Sequence, residues 1–202
     1  MGYKHDINDV IREGSALIQR RGYHAVGIND ILKATKIPKG SFYNFFKSKE
    51  DFAAAILDAY GEEYSAWVKA LLNESHDGPG GPKGPPAIER VSNFYRTLID
   101  ANEADGFNRG CLIAKLSNEL ARESDRLAEV CERNFQLLIS GLTQVLARAQ
   151  REGDVRTDFT AGQLAEYCHS GLYGQFPRAN TTRSRLSMDA WWAMTEKFLR
   201  GT

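Results

Sequence analysis

Between Arg20 and Lys49 the sequence places seven basic residues, Arg20, Arg21, Lys33, Lys36, Lys39, Lys47 and Lys49, against one acid, Asp30. The stretch carries a local charge of +6 in a chain whose formal net charge is zero, so the remainder carries −6. A cationic segment at one end of a neutral protein suits an anionic polymer and is of no use to a small-molecule enzyme; a solvated basic face is the plain alternative. A second candidate is Cys111, in Phe107-Asn108-Arg109-Gly110-Cys111-Leu112-Ile113. Read as a loop turning into a helix, this segment sets the thiol in a first helical turn, with Arg109 before it and Lys115 one turn on. Such surroundings lower a thiol pKa and sharpen a nucleophile. The chemistry would be reaction with an electrophile or oxidant; a buried structural thiol is the competing reading.

Other chemistries find little support. The cysteines Cys111, Cys131 and Cys168 are odd in number, widely spaced and fit no zinc pattern. The four histidines (His5, His24, His76, His169) are scattered, and Cys168-His169 are helix neighbours whose side chains point apart. The run His76-Asp77-Gly78-Pro79-Gly80-Gly81-Pro82-Lys83-Gly84-Pro85-Pro86 lacks the Gly-Lys-Ser/Thr ending of a phosphate loop, and its prolines lack the N–H groups that would cradle phosphate. No catalytic residue, metal or cofactor is implied, and an enzyme is not expected. The polar N-terminus has no signal-peptide core, and no stretch approaches the roughly 18 apolar residues of a membrane span, so a cytoplasmic protein without a membrane partner is expected.

The elements that must position these residues are helical. At 202 residues with 42% hydrophobic and 10% aromatic composition, the chain can bury a real core. Ile7, Val10, Ile11, Gly14, Leu17 and Ile18 recur at spacings of three and four, and Gly22 supplies the stop. Two short helices follow, about 28–35 and from Pro38 to Phe46, and Ser48 caps a long helix with acids in its first turn. The segment 78–86 reads as a flexible connector. Beyond it the pattern predicts helices at about 87–104, 109–121, 124–152, 160–177 and 187–200, with Gly153 ending the third. The fold class is all-α, about nine helices, with a three-helix head over 1–50 and a helical body over 51–202.

Two short helices around a tight turn, with Ile28, Ile31 and Leu32, then Phe42, Phe45 and Phe46 inward, make a helix-turn-helix whose second helix can lie in the major groove. The run Pro38-Lys39-Gly40-Ser41-Phe42-Tyr43-Asn44-Phe45-Phe46-Lys47-Ser48-Lys49-Glu50, with Gly22-Tyr23 and Ile28-Asn29-Asp30-Ile31 before it, resembles the recognition region of the TetR/AcrR family of bacterial regulators. The resemblance implies that Lys39, Gly40 and Ser41 meet phosphates or bases, that Tyr43 presses on backbone or a thymine methyl, that Asn44 enters the groove and that Lys49 pairs with phosphate. Lys36, in the turn, joins this set. Gly27 stands where the family often has a capping Ser or Thr, and Pro38 replaces another. The Gly-Cys-Leu-Ile element around Cys111 is similar to that of a subgroup of electrophile- and acrylate-responsive regulators.

The resemblance also implies a homodimer built from the last two helices. The residues expected there are Leu164, Cys168, Gly171 and Leu172 on one helix and Trp191, Trp192 and Phe198 on the other, with packing inside one subunit the alternative. Trp67, Phe94, Tyr95, Phe107, Phe135 and Tyr173 are candidate walls of an effector pocket, against plain core. Together these readings describe a ligand-responsive transcriptional regulator, a repressor by the resemblance. It binds a palindromic double-stranded operator as a homodimer and is released by a small molecule or electrophile. An activator or a constitutive DNA-binding protein of the same fold is the alternative.

Overall fold

The computed structural model describes residues 6–72, 84–108 and 110–202, with nine helices and no strand among them. Connector residues 78–83 and Arg109 lie outside the described residues. The helices are α1 (Ile7–Arg21), α2 (Ile28–Thr35), α3 (Lys39–Phe45), α4 (Lys49–Leu72), α5 (Ala87–Ala104), α6 (Leu112–Leu120), α7 (Asp125–Glu152), α8 (Ala161–Thr182) and α9 (Leu186–Arg200). They fall into two compact units. One comprises residues 1–62 and 111–135, the other 63–110 and 136–202.

In the first unit the cap chemistry sets the helix ends. Asp6 accepts the Asn8 N–H at 2.9 Å to start α1, and Gly22 stops it at φ +86°, its N–H donating to the Ile18 carbonyl at 2.8 Å. Ser48 Oγ accepts the Asp51 N–H at 3.0 Å while Asp51 accepts the Lys47 N–H at 3.0 Å, closing the entry to α4. The Arg126 guanidinium, 2.6 Å from Asp51, and the Lys47 amide hold that carboxyl below its usual range. The head core is aromatic. Phe42, Phe46 and Phe52 are buried, with ring centroids 4.9–5.5 Å apart. Gly14 is what lets α1 meet this cluster, because a Cβ there would lie 2.2 Å from Phe52 Cζ. Gly61 does the same for α7, where the buried Asn134 side chain occupies the space a Cβ would need.

The second unit is organised around α5, α8 and α9. Thr160 and Gln163 form a reciprocal capping box at the start of α8. Two boundaries differ from the sequence expectation. Helix α8 runs five residues past Pro177 to Thr182. The proline sits inside the helix, Thr181 and Thr182 bond back to the Pro177 and Arg178 carbonyls, and Arg183 closes the end in the left-handed region at φ 51°. Helix α6 begins at Leu112 rather than near 109, which makes Cys111 its N-cap and not a first-turn residue. Cys111 itself is extended, at φ −67° and ψ 121°, so the helix cannot begin before Leu112. At Gly153, φ is +85° and the helix ends as the glycine predicts.

Gly14→Ala should destabilise the protein by about 1–3 kcal/mol, since Phe52 is walled in by Phe42 and Phe46 and cannot swing aside. Chemical denaturation reads this directly, and an unchanged midpoint would show that the ring relocates at no cost.

Candidate functional site

The head presents a narrow polar edge. Pro38, extended at φ −62° and ψ 148°, caps α3, and its carbonyl accepts the Phe42 N–H at 3.2 Å. Phe42 points inward and is fully buried, so the residues around it on the short helix must point out. Lys39, Gly40, Tyr43 and Asn44 are exposed and Ser41 is half-buried; all five sit on one seven-residue helix. Tyr43 shows 45% of its surface and braces edge-on against Phe42 at 5.5 Å. A Cβ at Gly40 would meet nothing of this chain within 4 Å, so the protein's own packing gives no reason for a glycine there. Lys36 makes the turn between α2 and α3 in the left-handed region, φ 56° and ψ 28°, with its side chain exposed.

The two remaining head residues are occupied inside the protein. The Gly27 N–H, at the N-cap of α2, donates to Asp30 Oδ2 at 2.9 Å. That bond, with Arg21 at 3.3 Å, lowers the Asp30 pKa. Lys49 donates to the Tyr23 carbonyl at 2.7 Å and lies 3.9 Å above the Tyr23 ring centroid. Burial lowers the Lys49 pKa, opposed by Glu119 and Asp30. Burial, with Glu50 and Glu123, raises that of Tyr23.

Helix α6 reaches the same corner. Its N-cap, Cys111, is extended at φ −67° and ψ 121° and only 8% exposed. One turn on, Lys115 donates to the Gln19 carbonyl in the last turn of α1 at 2.6 Å, so its ammonium serves α1. A further turn on, Glu119 accepts the Tyr23 N–H at 2.8 Å. The left-handed Gly22 makes room, since a Cβ there would stand 3.2 Å from the Glu119 carboxylate. Beyond α6, His24 lies 3.5 Å from Glu123, Ser124 bonds Glu50, and Arg133 pairs with Asp58 at 2.5 Å. Cys131 is buried, and its thiol is pushed up to about 11 by that burial, with Cys111 the second cause. None of the three cysteines is in a disulfide.

In the second unit the candidate pocket residues partly converge. Trp67, Phe94 and Tyr95 form a chain of ring contacts at 5.7 and 5.0 Å. Trp192 stacks on Tyr95 at 4.6 Å and Trp191 meets it edge-on at 5.2 Å. The tryptophans expected at a dimer face are therefore in the same aromatic group as the expected pocket walls. The Tyr95 hydroxyl faces Cys168 and Tyr64, and burial raises its pKa well above the usual value. Burial pushes Cys168 up to about 12 and His169 down to about 4, so both are neutral near pH 7. The Tyr173 hydroxyl lies 2.7 Å from His169 Nε2. Phe107 is buried in the turn after α5, and Phe135 belongs to the other unit.

Leu164, Cys168, Leu172 and Trp192 are covered by the subunit's own α8–α9 packing. Gly171 lets the two helices close, because a Cβ there would lie 2.4 Å from Trp191 Nε1. Phe198 packs on Tyr167 and Phe159 under the Arg156 guanidinium. What the pair shows outward is Tyr167, Gly174, Leu186, Ala190, Ala193 and Met194, with Leu186 75% and Met194 74% exposed. Of the residues that sequence reasoning expected at a dimer contact, Leu164, Cys168, Leu172 and Trp192 are buried within the subunit, while Gly171, Trp191 and Phe198 are half-buried, since periodicity finds an apolar stripe without saying which neighbour covers it. Sequence reasoning passed over Glu119 and Tyr64, and weighed His169 only as a metal ligand. The four-residue spacing of Lys115 and Glu119 was visible, but their partners lie 96 residues away.

Residues 10–56 match the profile of bacterial regulatory proteins of the tetR family, and residues 87–195 match a tetracyclin repressor-like C-terminal domain. The chain is 27% identical over 180 residues to the HTH-type transcriptional repressor DhaR of Mycobacterium sp. strain GP1, covering 89% of this chain and 85% of that protein. It is 31% identical over 171 residues to the transcriptional regulator AcuR of Cereibacter sphaeroides, covering 84% and 74%. The crystal structure of a regulatory protein TetR from Rhodobacter sphaeroides superposes with a TM-score of 0.83 at 26% identity, over 95% of this chain and 97% of that one. With a helix-turn-helix head of matching sequence and an all-helical remainder of matching fold, the chain belongs to the TetR family and is a DNA-binding transcriptional regulator.

Proposed function

We propose that this protein is a repressor that binds a palindromic operator as a homodimer and is released when a small molecule or electrophile acts on its C-terminal part. The observation that carries the reading is the outer edge of α3, where Gly40 faces nothing of its own chain and Lys39, Tyr43 and Asn44 stand exposed beside it. A missing side chain that packing does not require is what close approach of a phosphate backbone requires. Lys36 and Lys39 supply cationic contacts, and Tyr43 and Asn44 reach base edges or the thymine methyl. Gly27 and Lys49 then act as braces of the head, since both already have partners in the protein.

A single head of this size binds weakly, and two heads reading a palindrome require a two-fold partner. The outward face of α8 and α9 supports that contact. Tyr167, Leu186 and Met194 are large and apolar, while Gly174, Ala190 and Ala193 allow close helix approach.

Effector control runs through α6. Cys111 heads that helix and is buried, so an adduct on its sulfur cannot be accommodated without moving the helix start. Lys115 and Glu119 on the same helix hold the end of α1 and the Tyr23 amide, so displacing α6 disturbs the corner on which the head is mounted. For a non-covalent effector, the wall is the aromatic group of Trp67, Phe94 and Tyr95. Nothing in this reading requires a reaction catalysed by the protein.

Gly40→Ala should leave thermal stability unchanged or raise it by up to about 1 kcal/mol, because alanine is the better helix former. The same variant should weaken operator binding at least tenfold in a titration at fixed salt; unchanged affinity would remove α3 from the interface. Lys36→Asn retains a residue tolerant of the left-handed turn and removes the charge. If each Lys36 meets one phosphate, the dimer's slope of log K against log salt falls by about 1.8, at about 0.9 per contact. An unaltered slope would leave Lys36 a turn residue only. Cys111→Ser should bind operator as the native protein does yet fail to release it when treated with N-ethylmaleimide. Normal release would refute the sensor role.

A further inference from the structure

Two hydrogen-bond donors sit unused in the interior of the second unit. Tyr95 on α5 is fully buried, and Trp192 on α9, also buried, stacks on its ring at 4.6 Å. Among the described residues, neither the Tyr95 hydroxyl nor Trp192 Nε1 makes a hydrogen bond of good geometry. The hydroxyl faces the Cys168 thiol and Tyr64. A thiol is a weak acceptor, and an indole N–H can only donate. Buried polar groups are normally paired, because a donor taken out of water without an acceptor keeps its full desolvation cost.

The surroundings of these donors are aromatic. Tyr64 and Trp67 on α4 meet at 5.4 Å, Trp67 meets Phe94 at 5.7 Å and Phe94 meets Tyr95 at 5.0 Å. Phe94 and Tyr95 are sealed from solvent, whereas Tyr64 and Trp67 are half-buried and give the group a rim. On α8, burial keeps Cys168 and His169 neutral near pH 7, and the Tyr173 hydroxyl lies 2.7 Å from His169 Nε2. Two charged side chains on the same helices are engaged elsewhere. Arg90, on α5, donates to the Pro85 carbonyl at 3.0 Å, and its charge helps to lower the Glu152 pKa. Glu196, one turn past Trp192, accepts from Ser92 Oγ at 2.8 Å and pairs with Arg96 and Arg200 at 3.6 and 3.1 Å. A carboxylate or ammonium placed among these rings would lose its hydration, while Arg90 and Glu196 already have partners.

We propose that the effector held by this aromatic group is an uncharged aromatic carbonyl compound. Its ring packs against Trp67 and Phe94, and its carbonyl oxygen accepts a hydrogen bond from the Tyr95 hydroxyl. Trp192 Nε1 is the second donor that suits such an oxygen. The proposal rests on the reading of Trp67, Phe94 and Tyr95 as the wall of the effector site. A hydrocarbon would satisfy the rings and leave the donors unpaired. An alcohol or amine would bring a further donor to a place that already has two without acceptors.

The test is isothermal titration calorimetry of the full-length protein at pH 7 with acetophenone, benzoate and ethylbenzene. These probes share a ring and a side group of similar size, and differ in charge and in the carbonyl. Acetophenone should bind at least tenfold more tightly than either of the others. Tyr95→Phe keeps the ring and removes the donor. It should weaken acetophenone binding at least fivefold, leave ethylbenzene unchanged and keep or raise the Tm, since an unpaired buried hydroxyl is lost. Benzoate binding as tight as that of acetophenone would overturn the uncharged class. Equal binding of ethylbenzene, or a Tyr95→Phe variant that holds acetophenone as the native protein does, would overturn the carbonyl. No binding of acetophenone up to its solubility would overturn the proposal as a whole. Operator release measured with the same probes separates the two ideas: acetophenone that binds through Tyr95 without releasing DNA refutes the effector reading, whereas the ligand class is judged by the titrations alone.

Discussion

The Glu119 carboxylate and the Tyr23 amide form the hydrogen bond on which the arrangement of the first unit turns. Tyr23 lies just past the end of α1, where the chain reverses through a left-handed Gly22, and its N–H has no helical carbonyl to meet. Supplying the acceptor from α6 makes a sequence-distant carboxylate part of the cap of α1. Lys49 reinforces the corner from the other side, donating to the Tyr23 carbonyl and resting on its ring. Lys115 adds the Gln19 carbonyl. Helix α6, capped by Cys111, is thereby attached to the DNA-reading head through the Tyr23 amide and the Gln19 carbonyl. Losing such a contact costs more than making it gains, which suits a coupling that must transmit displacement.

The head itself divides its residues cleanly. Its inward side is a packed aromatic cluster that needs Gly14 for clearance. Its outward side is a short edge of small and polar residues whose identities the packing does not dictate. Gly14 and Gly40 are the same residue type for opposite reasons. The first is pressed by Phe52, and the second is pressed by nothing within the chain.

The interior of the second unit is polar in places, but three of its titratable groups are held neutral by burial. The Tyr95 phenol and the Cys168 thiol are raised, and the His169 imidazole is lowered to about 4. Three arginines work at the periphery of that unit: Arg183 and Arg185 bind the end of α5 and the turn after it, and Arg156 covers Phe198 while pairing with Asp158.

Helix number, most helix ends and the recognition segment were legible in the sequence, because caps, glycine stops and apolar spacing are local signals. Ser48, Gly22 and Gly153 acted as their types predict. The exceptions are Pro177, which the helix runs through, and the start of α6, which the extended Cys111 sets at Leu112. The basic stretch and the order of residues from Pro38 to Glu50 were enough to identify a DNA-reading head. Tertiary structure alone decided which of those residues remain available. Lys49 matches the family pattern and Gly27 departs from it, yet both are already bonded within the protein, and Leu164, Cys168, Leu172 and Trp192 face inward while Tyr167, Leu186 and Met194 face out. The reason is geometric. A one-dimensional pattern records that a side chain is apolar or charged and how often such residues recur, but its partner is set by which helix packs beside it, often some 75 to 100 residues away.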